Sequence, residues 1–270
     1  MINPVVSVLR MVGLLIVTLG MIPVQSVLIN INGKYWLKFA RGYWRWMIRM
    51  TGMRIRIHGE VPETGPTLVV SNHSSYFDIF VLGSLLLGSF VSKSDVAGWP
   101  GVGFITRLGR TVFIDRNRHG SDKERNVVRD RLEEGGILVL FPEGTSNDGN
   151  HVLPFKSTLF AVAETSVTGA DGIARPVVVQ PVTVAYSGLD GLPMQRAFRP
   201  FYAWYGDMTL VDHMFNALGL GNLTVDVIFH APTSIENFTN RKTLSSHCQN
   251  VIQKGLGLAL TGRLSLLGDS

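Results

Sequence analysis

Short apolar runs alternate with helical segments along most of the chain, and that alternation restricts the fold more than any other feature. Arg54–His58 alternates polar and apolar residues as a short strand. Thr67–Ser71, Phe90–Ser92, Thr111–Ile114 and Ile137–Phe141 are short enough, and apolar enough, to read as strands. Pro176–Tyr186 is β-rich but interrupted by Pro181, and Leu223–His230 reads as a further strand. Between them Phe77–Leu87, Ser121–Glu134, Thr158–Glu164, Thr209–Leu218 and Arg241–Leu256 read as helices. Ser121 is placed as an N-cap with Glu124 three residues on, and Gly135 as the stop. Strands alternating with helices argue for an α/β fold built on a central sheet.

The first 52 residues differ from the rest. From Met11 to Gly33 no residue is charged, and Met11–Ile29 is long enough as a helix to reach about 30 Å, one hydrocarbon core. Pro23 interrupts it, so the segment reads as one kinked span or as two short helices that enter one leaflet and return. A signal peptide fits less well, because only Arg10 precedes the apolar run and no small-residue cleavage site follows. Lys34, Lys38, Arg41, Arg45 and Arg49 then recur at helical spacing with Tyr35, Trp36, Phe39, Tyr43, Trp44 and Trp46 among them. Basic heads interleaved with aromatic rings suit a helix in the headgroup layer of a membrane. The plainer alternative is a solvated basic face over a packed aromatic one. Residues 1–60 hold eight Lys and Arg against one acid, Glu60, so the net charge of +5 belongs to this end and argues against a general nucleic-acid surface. The excess of bases after the apolar run places the body on the cytoplasmic side of the inner (plasma) membrane. Residues 1–52 are thus expected to be an anchor with a basic amphipathic helix, and 53–270 the α/β domain. One cysteine, Cys248, leaves no disulfide framework and reads as a packing residue.

Three clusters could carry chemistry, each directly after an expected strand. In Asn72-His73-Ser74-Ser75-Tyr76-Phe77-Asp78 the His and the Asp are five residues apart. On one helix that spacing puts them about 140° apart. They can pair only if His73 lies in the turn and Asp78 in the first helical turn. A carboxylate on Nδ1 would then leave Nε2 as a general base, although the same residues could simply cap the helix. Phe141-Pro142-Glu143-Gly144-Thr145-Ser146 offers a glycine turn whose N–H groups can face an anion, and a carboxylate for a hydroxyl-bearing ligand. Arg116 and Lys156 are cations after strand ends. In a parallel sheet all of these would share one edge. No Gly-x-Ser-x-Gly elbow, P-loop or metal-binding spacing of histidines is present.

The His73-Ser-Ser-Tyr-Phe-Asp78 block resembles the His-x4-Asp signature of glycerolipid acyltransferases. Val112-Phe-Ile-Asp-Arg116, Phe141-Pro-Glu-Gly-Thr-Ser146 and Val179-Gln-Pro-Val182 resemble that family's later blocks, in the same order. Bacterial 1-acyl-glycerol-3-phosphate acyltransferases match best. The resemblance implies a central mixed, mostly parallel sheet flanked by helices, preceded by an N-terminal membrane-associated helical segment. It implies transfer of a fatty acyl group from acyl-CoA or acyl carrier protein to the sn-2 hydroxyl of a lysophospholipid acceptor among membrane lipids, giving phosphatidic acid. His73 and Asp78 would be the general base and its orienting carboxylate, and Arg116 would bind phosphate. Glu143, Gly144 and Thr145 would hold the glycerol, and Lys156 would lie near the substrate. It calls for no resident cofactor and no metal. A different lyso-acceptor, such as lyso-ornithine lipid, is the nearest alternative, with Ala203-Trp204-Tyr205-Gly206-Asp207-Met208 as a segment that could shape the choice or simply pack. A non-catalytic membrane-associated module is the other.

Overall fold

A computed structural model describes residues 2–31, 35–63, 65–114, 122–133, 136–168 and 172–268. The helices are α1 (Pro4–Leu28), α2 (Tyr35–Thr51), α3 (Phe77–Leu85), α4 (Val102–Leu108), α5 (Asp122–Glu133), α6 (Leu210–Gly219) and α7 (Arg241–Leu260). The strands are β1 (Arg54–His58), β2 (Thr67–Ser71), β3 (Gly88–Lys93), β4 (Val112–Ile114), β5 (Ile137–Leu140), β6 (Ser166–Thr168), β7 (Ala174–Pro176), β8 (Val178–Leu189), β9 (Leu192–Pro193) and β10 (Leu223–Phe229). The main sheet has the order β1-β10-β8-β2-β5-β3-β4, with β9 folded back on β8; β6 and β7 form a separate pair. From β8 through β2, β5 and β3 to β4 every neighbour is parallel, while β10 is antiparallel to β8 and parallel to β1. The fold is therefore α/β with a mixed, mostly parallel central sheet flanked by helices and an apolar N-terminal helix.

Both faces of the sheet are covered, which is why its middle strands read as continuous apolar runs rather than as alternation. Val69, Val139 and Val184 face a layer made by α1, α2, α3 and α6. Their neighbours Leu68, Val70, Leu138 and Leu140 face α5, α7 and the short helix Ser157–Glu164. Cys248 of α7 is fully buried in this second layer, and burial pushes its thiol up to about 12. It is a packing residue.

Three expectations change. Pro23 does not divide the N-terminal segment: α1 is one helix of 25 residues, started at Pro4 because the Asn3 side chain accepts from the backbone N–H of Val5 and Val6. Pro181 does not break the β-rich segment: β8 runs through it. The Pro181 carbonyl accepts from His230 N–H just past the end of β10, so the missing N–H falls on that side, where the ladder has already stopped. Ser157–Glu164 is a 3₁₀ helix. The N-cap and stop assigned to Ser121 and Gly135 lie outside the described residues, as do Arg116 and Lys34.

Helix α1 lies against the body along its whole length. Its first turn is tied to α6, with Asn3 N–H on Gly219 O and the Arg10 guanidinium on Leu218 O at 2.7 Å. Near its end Gln25 Nε2 donates to Leu108 O of α4. Ser7, Leu14, Met21 and Gln25 form the buried stripe. At 100° per residue Val5, Val8, Leu9, Val12, Leu15, Ile16 and Leu19 fall on the opposite face, all exposed. On α2 the bases Lys38, Arg45 and Arg49 are exposed, while Trp36, Leu37, Tyr43, Met47 and Ile48 are buried.

Candidate active site

Strand β2 ends at Ser71, and the next five residues turn the chain into α3. Asn72 sets the start of this turn. Its side-chain amide pairs with the backbone of Val184 in β8, Nδ2 donating to the carbonyl and Oδ1 accepting from the N–H, both at 2.9 Å. This double contact continues the β2–β8 pairing by side chain where the backbone turns away. His73 therefore lies outside the helix and Asp78 inside its first turn, the one arrangement in which a five-residue spacing lets them meet. His73 Nδ1 and Asp78 Oδ2 are 2.8 Å apart.

Asp78 is fully buried and accepts from four donors. Oδ2 takes Ser74 N–H at 2.7 Å and Ser75 N–H at 2.9 Å besides His73, and Oδ1 takes the Tyr186 hydroxyl at 2.5 Å. Such donors hold a buried carboxylate in one orientation. Burial, together with Asp78 itself, pushes the Tyr186 phenol far above its ordinary range, so Tyr186 stays a donor. With the Nδ1 hydrogen directed at Asp78, Nε2 of His73 carries the lone pair. The His73 side chain keeps 21% exposure. Its ring stacks on Phe141 with centroids 4.1 Å apart.

The second cluster packs directly against the first. Both oxygens of Glu143 are used within the protein: Oε1 accepts from His73 N–H at 2.7 Å, Oε2 from Asn147 Nδ2 at 2.7 Å and from Leu153 N–H at 2.8 Å. Asn147 N–H returns to His73 O. The sequence assigned Glu143 to the acceptor's glycerol; the structure places it beneath His73, where it clamps the backbone that carries the imidazole. Burial pushes the Glu143 carboxyl up to about 7, against the pull of its N–H donors and of His73. Because the raised value means a proton held in the fold but not in the unfolded chain, this group's contribution to stability falls as pH rises from its ordinary value towards about 7 and is level above that.

Gly144 has φ +75°, which favours glycine, and its N–H closes the turn onto Phe141 O. Thr145 is exposed at the rim. Lys156 is exposed too, and its N–H bonds Pro142 O, so it stands beside the same turn. Arg116 lies outside the described residues; β4 ends two residues before it, with Ile114 in register with Lys93 of the parallel β3. Thus β2, β5 and β4 do end on one edge, as expected of a parallel sheet. Sequence reasoning missed Asn72, Asn147 and Tyr186. Asn72 is next to the His and invites inspection, but nothing local marks Tyr186, which is 108 residues from its carboxylate partner. Among the described residues no group of His, Cys, Asp and Glu could hold a metal ion.

A sequence profile of the acyltransferase family matches residues 54–185, the stretch that contains every cluster described above. The chain is 38% identical over 264 residues to a lyso-ornithine lipid O-acyltransferase of Brucella abortus, covering 97% of this chain and 98% of that one. It is 29% identical over 187 residues to a 1-acyl-sn-glycerol-3-phosphate acyltransferase of Neisseria gonorrhoeae, covering 69% and 68%. The crystal structure of the 1-acyl-sn-glycerophosphate (LPA) acyltransferase from Thermotoga maritima has the same fold, with a TM-score of 0.57 over 92% of this chain and 96% of that one at 18% identity.

Proposed function

Because the chain belongs to the acyltransferase family, we propose that it is an O-acyltransferase that moves a fatty acyl group from an acyl thioester to the hydroxyl of lyso-ornithine lipid. Acyl transfer from an acyl donor to a lyso-lipid acceptor is the chemistry the family shares. The acceptor reading rests on the likeness to the Brucella abortus enzyme over nearly the full length of both chains. It displaces 1-acyl-glycerol-3-phosphate as the first choice. That acceptor remains the second reading, supported by the Arg116 block and by the Neisseria gonorrhoeae likeness.

In this mechanism His73 Nε2 takes the proton of the acceptor hydroxyl as its oxygen forms a bond to the thioester carbonyl carbon. Asp78 holds the ring and stabilises the imidazolium. When the tetrahedral adduct collapses, the C–S bond breaks and His73 returns the proton to the leaving thiol of CoA or acyl carrier protein. No enzyme ester forms. Glu143 positions His73 through its backbone, Gly144 and Thr145 shape the rim, and Arg116 and Lys156 meet the acceptor's anionic group, a carboxylate in one reading and a phosphate in the other. The test is a panel in which purified protein is offered lyso-ornithine lipid and lysophosphatidic acid at equal surface density. Lyso-ornithine lipid is expected to be acylated with the higher kcat/KM; a preference for lysophosphatidic acid overturns the acceptor assignment.

Residues 1–52 are proposed as the membrane-docking unit and 53–270 as the transfer domain, on the cytoplasmic side of the inner membrane. The packing of α1 favours a helix lying in one leaflet over a span. It is bonded to the body at both ends, so it cannot cross a bilayer without carrying α4 and α6 with it. Its open apolar face and the exposed bases of α2 suit the boundary between hydrocarbon and headgroups. A fully buried aliphatic side chain contributes about 1.5–3 kcal/mol. Replacing Leu15, Ile16 and Leu19 together by Ser is therefore expected to weaken vesicle binding by about 10³-fold or more. Unchanged co-sedimentation with vesicles contradicts this placement of α1.

A further inference from the structure

Three connections meet over the carboxyl edge of the sheet, and each brings an aromatic ring. Tyr76 comes from the turn between β2 and α3, Trp99 from the segment between β3 and α4, and Trp204 from the segment that precedes α6. Trp204 is the hub. Its N–H donates to Ser74 O at 2.9 Å, and its carbonyl accepts from the Ser146 hydroxyl, so its backbone is strapped to both clusters that hold His73 in place. Its indole N–H donates to Met208 O at 2.9 Å, which closes the chain over Tyr205–Asp207. The Trp99 ring stands at 83° to that of Trp204 with centroids 6.0 Å apart, and the Tyr76 ring meets Trp204 at 6.0 Å and 64°.

Tyr76 and Trp204 are both half-buried, and the Tyr76 hydroxyl is tied to His213 at 2.9 Å. Trp99 is 41% exposed although its ring meets that of Trp204. Indole faces carry negative quadrupole charge and attract cations, above all when partly shielded from water. Asp207, exposed in the turn closed by Trp204, adds a negative charge nearby. A phosphate would gain nothing from these groups. A primary ammonium on a flexible alkyl arm, as ornithine carries, would be held by them.

We propose that Trp99 and Trp204 form the subsite that receives the ammonium group of a zwitterionic acceptor and thereby set the choice of acceptor. The proposal rests on the lyso-ornithine lipid reading and deepens it: the cationic end of the headgroup goes to the indoles.

The experiment compares lyso-ornithine lipid with the same lipid acetylated on its side-chain amine, which removes the charge and keeps the rest. Wild-type protein, Trp99→Leu and Trp99→Phe are assayed in vesicles of one composition. The wild type is expected to favour the charged acceptor by about ten-fold in kcat/KM, chiefly through KM. Trp99→Leu should bring that ratio near one, and Trp99→Phe should retain most of it. An equal loss on both acceptors in Trp99→Leu, with the ratio kept, overturns the subsite and makes Trp99 a support for the loop. A loss of vesicle binding in that variant makes it a membrane anchor instead. A wild type indifferent to acetylation overturns the subsite while leaving lyso-ornithine lipid as the acceptor, whereas a wild type that acylates neither form overturns both.

Discussion

His73→Ala is expected to lower kcat for acyl transfer by about 10³-fold, within the range of about 10²–10⁴ that a positioned general base supplies. The neutral hydroxyl of the acceptor is a poor nucleophile, and among the described residues no other basic side-chain nitrogen contacts the Asp78 carboxylate. Folding should be little affected. The His73 side chain is partly exposed, and what it gives up on truncation is its stack on Phe141 and one of the four donors to Asp78. The backbone bonds to Glu143 and from Asn147 survive the substitution. His73→Gln, with a polar head of similar reach but no basic nitrogen, should be as inactive as the alanine variant. Steady-state turnover on the preferred acceptor, alongside a thermal melt, tests this. A His73→Ala protein that keeps its melting temperature and turns over within a few-fold of wild type removes His73 as the base.

Asp78 is expected to show a different signature, because it serves the fold and the chemistry together. Asp78→Ala takes the acceptor from Ser74 N–H, Ser75 N–H and the Tyr186 hydroxyl, all of them buried. Each donor left unsatisfied costs about 1–3 kcal/mol, so a loss of about 4 kcal/mol is expected. In a chain of this size that corresponds to a fall in Tm of roughly 10 °C. Asp78→Asn separates the two roles. Its amide oxygen, set where Oδ2 stood, can still take Ser74 N–H, Ser75 N–H and the imidazole, but it carries no negative charge to stabilise the imidazolium, and its amide N–H groups meet the Tyr186 hydroxyl. In the serine-protease triad the same substitution costs about 10⁴ in kcat with the geometry kept. A loss of about 10³-fold in kcat with a small change in Tm is therefore expected here. Full activity in Asp78→Asn would show that the carboxylate only caps the turn, the alternative that the spacing alone left open.

How far the sequence reaches can be traced residue by residue. The strands and helices were legible because their cause is local: Leu68, Val69 and Val70 are apolar because both faces of β2 are covered, and α6 and α7 begin within a residue of where the pattern puts them. The His73–Asp78 pairing was legible as a condition on where α3 starts. That start is set by neighbours in the chain, so a motif of seven residues carried it. Pro23 left one span or two short helices open, and α1 is the single helix; Pro181 misled because a proline's cost depends on what its missing N–H would have met. For Pro181 that was the spent end of the β10 ladder, a fact of sheet order.

The chain's own order thus determined the α/β class, the apolar and basic N-terminus and the His73–Asp78 pairing, since each follows from periodicity or from contacts within a few residues. Only the tertiary structure decided that Glu143 clamps His73 from 70 residues away, that Tyr186 caps Asp78 from the far side of β2, that α1 lies along the body, and that two indoles from separate connections stand beside the site. Those contacts depend on which strands become neighbours. Sheet order is chosen by the burial of two whole faces at once, and no spacing along the chain records it.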